Sequence, residues 1–285
     1  MKPNFVVLTD SSPAGVRAQA YAAALAAPLG AELHLVHVFS QLPITTLEYG
    51  LMPPMLDVGY VRELRQSLAN DAATLAVPAT AEVIETDWYE AVQQALDTHQ
   101  PLLLIAGLTA THGRLEEWLN NRALPLAHHT GYPLLLVPEH LPAAQLKPPR
   151  RLVLAVEDRA FTLTPEARAL APLLAALGCE VITTTVFPPE DATSGDAGWR
   201  AAQRCGLAPA LAHGALHKVI DARPAAGIWQ ATDELEADML ALLDQGHGWV
   251  HKMFSSSTIT HAVRFSQVPV LLLSASLTDV ADAGN

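Results

Sequence analysis

The chain has 285 residues, half of them hydrophobic and 16% charged, which is apolar material enough for two cores and excludes global disorder. Lys and Arg total 17 against 29 Asp and Glu, a net charge of −12, and without a run of cations this argues against nucleic-acid binding and against docking on anionic membranes. Two cysteines, Cys179 and Cys205, exclude a disulfide framework and a four-cysteine zinc site; with no signal-peptide layout and no apolar run near the ~20 residues of a bilayer span, a cytoplasmic protein is expected.

An apolar run from Phe5 ends in Asp10, an Ala/Leu-rich stretch stops at Gly30, and a second apolar run ends at Phe39. This reads as strand, helix, strand, with Gly30 punctuating the helix. Residues 40–59, rich in Pro, Gly and Met, form a long loop. Its Met52 and Met55 suit either a plain cap on the sheet or an adaptable lid or partner surface. Val83–Glu85 is a short strand before a helix over about Tyr89–Thr98. Leu102–Ala106 is the next strand, then come a loop, a helix to about Thr130 and the strand Pro133–Val137. Pro138, Pro142, Pro148 and Pro149 mark a stiff linker.

From Val153 the pattern starts again. At an offset of 148, Asp158 falls on Asp10, Leu173 on Leu25, Gly178 on Gly30, Glu180 on Glu32 and Val186 on Val38. A loop at 188–198, a strand at Val219–Asp221, a helix over about Ala226–Thr232 and a strand at Met239–Leu243 follow. After another loop come a helix to about Phe265 and the strand Pro269–Leu273, where the offset has fallen to 136. The second half is thus 12 residues shorter in its middle. Alternation of this kind predicts an α/β protein of two tandem open parallel five-stranded sheets with helices on both faces. The divisions are domain 1 at 1–138, a linker at 139–150, domain 2 at 151–276 and a tail at 277–285. Ligands of such sheets sit at the carboxyl ends of strands. That singles out Asp10, the turn after Val38 and the loop after Gly107, with Asp158, the turn after Val186 and the loop after Leu243 as counterparts.

The order and spacing of "GAELHLVHV", "LLLIAGL" and "HHTGYPLLLVP", answered by "GCEVITTTV" and "ITHAVRFSQVPVLLL", resemble the universal stress protein family in its tandem two-domain form, over about residues 4–138 and 151–274. The resemblance implies an adenine nucleotide alpha hydrolase-like fold and pairing of two domains through their last strands. It also implies regulation of stress survival, with protein partners and self-association, rather than one known reaction.

ATP-binding members of the family carry a pattern like G-x2-G-x9-G-[ST] after the fourth strand, where glycines admit phosphates to the backbone and the next helix offers its positive end. In the first half the pattern falls on Gly107, Ala110, Asn120 and Asn121, and Glu116 and Glu117 stand where a triphosphate would be repelled. In the second half it falls on Leu243, Gly246, Ser256 and Ser257, beside His247, His251 and Lys252. The expectation is a nucleotide site decayed in domain 1 (Asp10, Val38, Gly107). The alternative is an ATP-sensing crevice in domain 2 formed by Asp158, Val186, Gly246, Ser256 and Ser257, although serines before a helix also serve as plain N-caps. Trp118 and Trp249 fall in the two matching loops, where bulky rings could fill each crevice.

No metal site is expected. His213 and His217, His247 and His251, and the adjacent His128 and His129 lack a convergent third ligand, and His34 and His37 project from opposite faces of a strand. No catalytic residue is expected either, since no G-x-S-x-G elbow or G-x-x-x-x-G-K-[ST] loop is present, and Ser11-Ser12-Pro13 reads as a turn and helix cap. Cys179 and Cys205 read as small buried apolar residues. A non-enzymatic binding and regulatory protein is the leading expectation, and a nucleotide hydrolase ranks behind it for want of a general base.

Overall fold

The computed structural model describes residues 2–40, 58–109, 117–189, 196–207, 216–244 and 256–277. In the first half β1 (Asn4–Leu8), β2 (Glu32–Val38), β3 (Ala79–Ile84), β4 (Leu103–Leu108) and β5 (Leu134–Pro138) pair in parallel in the order β3-β2-β1-β4-β5. In the second half β6 (Arg151–Ala155), β8 (Glu180–Phe187), β9 (His217–Ile220), β10 (Met239–Asp244) and β11 (Val270–Leu277) give the matching order β9-β8-β6-β10-β11. The near-continuous Val, Ile and Leu of the inner strands follow from burial on both faces; Leu134–Val137 and Val270–Leu273 are at most 2% exposed.

The two five-stranded units join edge to edge. β5 and β11 run antiparallel with Leu134 opposite Leu272, Leu135 opposite Leu271 and Leu136 opposite Val270, making one continuous sheet. The hydrophobic edges of both units are thereby removed from solvent.

One face of the sheet carries α1 (Pro13–Ala26), α2 (Val58–Thr74), α5 (Pro165–Arg168), α6 (Ala171–Ala176) and α7 (Ala197–Arg204). The other carries α3 (Trp88–His99), α4 (Leu124–Thr130), α8 (Pro224–Glu234) and α9 (Ser256–Arg264). Each core layer draws residues from both halves. Gly30 and Gly178 take the left-handed conformation at φ of 60° and 63°, the helix stop that the sequence marks in both halves.

The gapless superposition fails at one place. Where α1 starts in the first half, the second half has a short strand β7 (Phe161–Leu163), antiparallel to the end of β11 with Ala275 opposite Leu163. The helix then begins only at Pro165, capped by Thr164, and breaks before Ala171. Phe161 and Thr162 favour an extended chain over a helical one, and β7 gives the last residues of β11 a backbone partner.

A second irregularity has a covalent cause. A π-helical turn (Leu119–Ala123) runs into α4, where Pro125 cannot donate to the carbonyl four residues back. That carbonyl, Asn121 O, instead accepts the Tyr89 hydroxyl at 2.8 Å.

Candidate functional site

The carboxyl ends of the first-half strands bring together Asp10, Val38, Gly107 and the start of α3. Asp10 is exposed just after β1. Its Oδ1 accepts from the Ser12 backbone N–H at 3.0 Å and from the Ser12 hydroxyl, while Ser12 Oγ accepts the Gly15 N–H at 3.1 Å as the N-cap of α1. This confirms the turn-and-cap reading of Ser11-Ser12-Pro13 and occupies one of the free donors of that helix. The start of α3 is closed in the same way, with Asp87 accepting from Tyr89 N and Glu90 N at 2.9 and 3.1 Å. Glu85 is held by Arg65 at 2.5 Å.

Gly107 serves packing. A Cβ on it would lie 2.3 Å from the backbone C and O of Ala14, so the first turn of α1 rests directly on β4. Val38 closes β2, half-buried on the α3 side. Asn121 lies on the π-turn with its carbonyl taken by Tyr89, Glu117 is exposed before that turn, and Trp118 packs half-buried on the core. Ala110, Glu116, Met52 and Met55 lie outside the described residues. Both helix starts at this rim are capped internally, by Ser12 and Asp87, and Asp10 and Glu117 are exposed there.

One neighbour of Asp10 escapes sequence reasoning. Burial pushes the His37 imidazole below its ordinary value, while Asp10 and a hydrogen bond with the Thr9 backbone oppose that shift. Thr9 is also buried, and its Oγ1 accepts from Gln19 Nε2 at 2.8 Å. With Leu8 opposite Val36 and the Thr9 N–H donating to Val36 O at 2.9 Å, the register brings His37 level with Thr9, one residue before Asp10.

In the second half Asp158 Oδ1 accepts from Ala197 N at 2.8 Å and Gly198 N at 3.3 Å, capping α7 from a distant part of the chain. Gly198 has to be glycine, since a Cβ there would stand 1.9 Å from Glu157 O. Val186 is 1% exposed and lies against Gly227 of α8, where a Cβ would come within 2.5 Å of Val186 Cγ1. Ser256 and Ser257 open α9; their side chains, together with Gly246, His247, Trp249, His251 and Lys252, lie outside the described residues.

Among the described residues no three His, Cys, Asp or Glu side chains converge for a metal ion, and no helix is long and apolar enough to cross a membrane. His217 meets Glu234 at 3.1 Å, and the His128 and His129 rings stand tilted 5.4 Å apart; His213 is outside the described residues. Both cysteines are buried, and burial pushes the Cys179 thiol up to about 12 and raises Cys205 as well. Neither is a thiolate nucleophile at neutral pH. A small cavity at the seam of the halves is walled by apolar residues, Leu25, Leu135, Leu174, Met239 and Leu271 among them.

Residues 1–138 match the model of the universal stress protein family. The first half therefore carries a domain of that family. A universal stress protein from Archaeoglobus fulgidus DSM 4304 superposes with a TM-score of 0.59 at 15% identity, covering 97% of each chain. A putative universal stress protein from Pseudomonas aeruginosa UCBPP-PA14 gives 0.53 at 14% identity, covering 96% of this chain and 94% of that one. At such identities these likenesses speak for the fold, and they extend it over both halves. No curated protein matches the sequence.

Proposed function

We propose that this universal stress protein is a non-enzymatic regulatory protein of the stress response. Two family domains, 1–138 and 151–276, would act as a pseudo-dimer within one chain and engage protein partners, with the nucleotide site of the first half decayed. The observation that carries this reading is the self-engagement of the first-half rim. Asp10 is spent on Ser12, the donors at the starts of α1 and α3 go to Ser12 and Asp87, and Gly107 is filled against by α1. An anionic ligand would meet acids there rather than free N–H groups. Nucleophilic chemistry lacks support as well, because the Ser12 hydroxyl donates to a carboxylate instead of to an imidazole base.

The alternative is an adenine-nucleotide sensor in the second half around Asp158, Val186, Gly246, Ser256 and Ser257. Two serines opening α9 directly after the β10 loop favour it. Against it stands Asp158, whose carboxylate is already committed to α7.

One experiment separates the two. Freshly purified protein is denatured and its supernatant assayed for adenine nucleotide, and the folded protein is heated with and without millimolar ATP and magnesium. The regulatory reading expects no nucleotide and no thermal shift. A shift abolished by Gly246→Val or Ser257→Ala would establish the sensor instead.

A further inference from the structure

At the far end of the first half from that rim, the imidazoles of His34 on β2 and His99 at the end of α3 are stacked, with centroids 3.9 Å apart and planes inclined by 15°. Each ring uses an edge nitrogen on the outermost strand. His34 Nδ1 meets Thr80 Oγ1 at 2.7 Å, and His99 Nε2 donates to Glu82 Oε1 at 2.7 Å. The register makes this possible, because His34 lies opposite Thr80 and Val36 opposite Glu82 on one face of the β2–β3 ladder. The stacked planes turn their faces, not their nitrogens, to each other, so they do not converge on a metal.

The second half repeats half of this device with the partners exchanged. There the outer strand β9 supplies the histidine and the following helix the acid, His217 Nε2 meeting Glu234 Oε2 at 3.1 Å. Both pairs are separated by 17 residues, yet the aromatic and cation contacts of the described residues give His217 no stacked ring.

We propose that the His34–His99 stack is an acid-released clasp fastening β3 and the end of α3 to the sheet, while the lone His217–Glu234 clasp holds the opposite edge under the same conditions. A single proton beside Glu82 or Glu234 strengthens a histidine–carboxylate bond. In the second half that is the whole effect. In the first half a second proton would place two cations face to face in a partly buried corner, where they repel each other.

The groups facing the stack are Glu82 and Thr80 from β3, Glu32 from β2, itself 3.4 Å from Lys2, and Asn4 of β1, whose Nδ2 donates to His99 O at 3.0 Å. Burial first and His99 second push His34 below its ordinary value, with Glu32 and Glu82 opposing. The unfolded chain therefore binds this proton more readily than the folded one. The stability given by the corner is complete above an ordinary histidine value of about 6.5 and drains away as pH falls below it.

Amide hydrogen exchange at pH 7 and pH 5, corrected for the intrinsic rate, tests the proposal in the full chain with the second half as internal reference. Protection of residues 79–84 and 96–100 should fall severalfold from pH 7 to pH 5 relative to 217–220 and 230–235. His34→Phe keeps a ring face but no proton site and should abolish the difference. Thr80→Val removes a hydrogen bond yet should leave the pH response intact. Equal losses at both edges, or an unchanged response in His34→Phe, would overturn the clasp. Should that variant fail to fold, the wild-type His34 ring followed by NMR decides: titration below the ordinary value and dependent on His99 supports the clasp, and a single ordinary step refutes it.

Discussion

Gly107 shows how one residue type can answer two different demands. In the family's nucleotide-binding pattern a glycine here admits a phosphate; in this chain its missing side chain admits α1, whose Ala14 carbonyl group would lie 2.3 Å from a Cβ. The neighbouring atoms are backbone in a capped helix and cannot swing aside. Gly107→Ala should therefore cost about 2–3 kcal/mol of stability with no ligand present, read as a shift of the urea midpoint. A variant as stable as the wild type would return the glycine to a ligand-binding role. Asp10 and Asp158 make the same point from the acidic side. They sit at matching places in the sequence, yet one fastens the turn before its own helix and the other caps α7, about forty residues on. Sequence order gives both as strand-end acids; only the packing of α7 on Glu157 reveals what the second one holds.

Among the elements, the strands were legible because burial on both faces demands unbroken apolar runs, and runs such as Leu102–Ala106 and Leu134–Val137 admit few other readings. The helix stops were legible as well, since Gly30 and Gly178 occupy a conformation that other residues resist. The counterpart of α1 was not. Its Ala and Leu content superposes on that of α1, and nothing local discloses that β11 runs on to Leu277 and requires β7 as a partner. Thr164, which ends this strand insertion, accepts the Ala167 N–H at 3.2 Å and donates across the halves to Gly131 O at 2.8 Å. Thr164→Ala deletes a helix cap and an inter-half hydrogen bond together, so a loss of about 1–2 kcal/mol is expected. Thr164→Ser should recover most of it, because the hydroxyl serves both contacts; if Ser and Ala prove equally destabilising in denaturant titrations, the methyl packing rather than the hydroxyl is at work.

At the scale of the molecule, the repeat suggests two independent units, whereas the energetics describe one. β5 and β11 make the sheet continuous, both core layers mix residues of the two halves, and Ser274 Oγ donates to Ala127 O at 2.6 Å across the seam. Separating the halves would expose Leu134–Leu136 and Val270–Leu272, none of them more than 2% exposed in the whole chain. Neither half should then persist folded once the other melts, and heating should give a single calorimetric transition. With about 0.7 kcal/mol per residue near 60 °C, the van't Hoff enthalpy should approach about 200 kcal/mol, the figure for 285 residues unfolding together. Independent halves would instead yield about 100 kcal/mol from the same trace, or two resolved peaks, because the van't Hoff value counts only residues that melt as one unit. The ratio of calorimetric to van't Hoff enthalpy is thus the measurement that decides, one if the seam couples the halves and two if it does not.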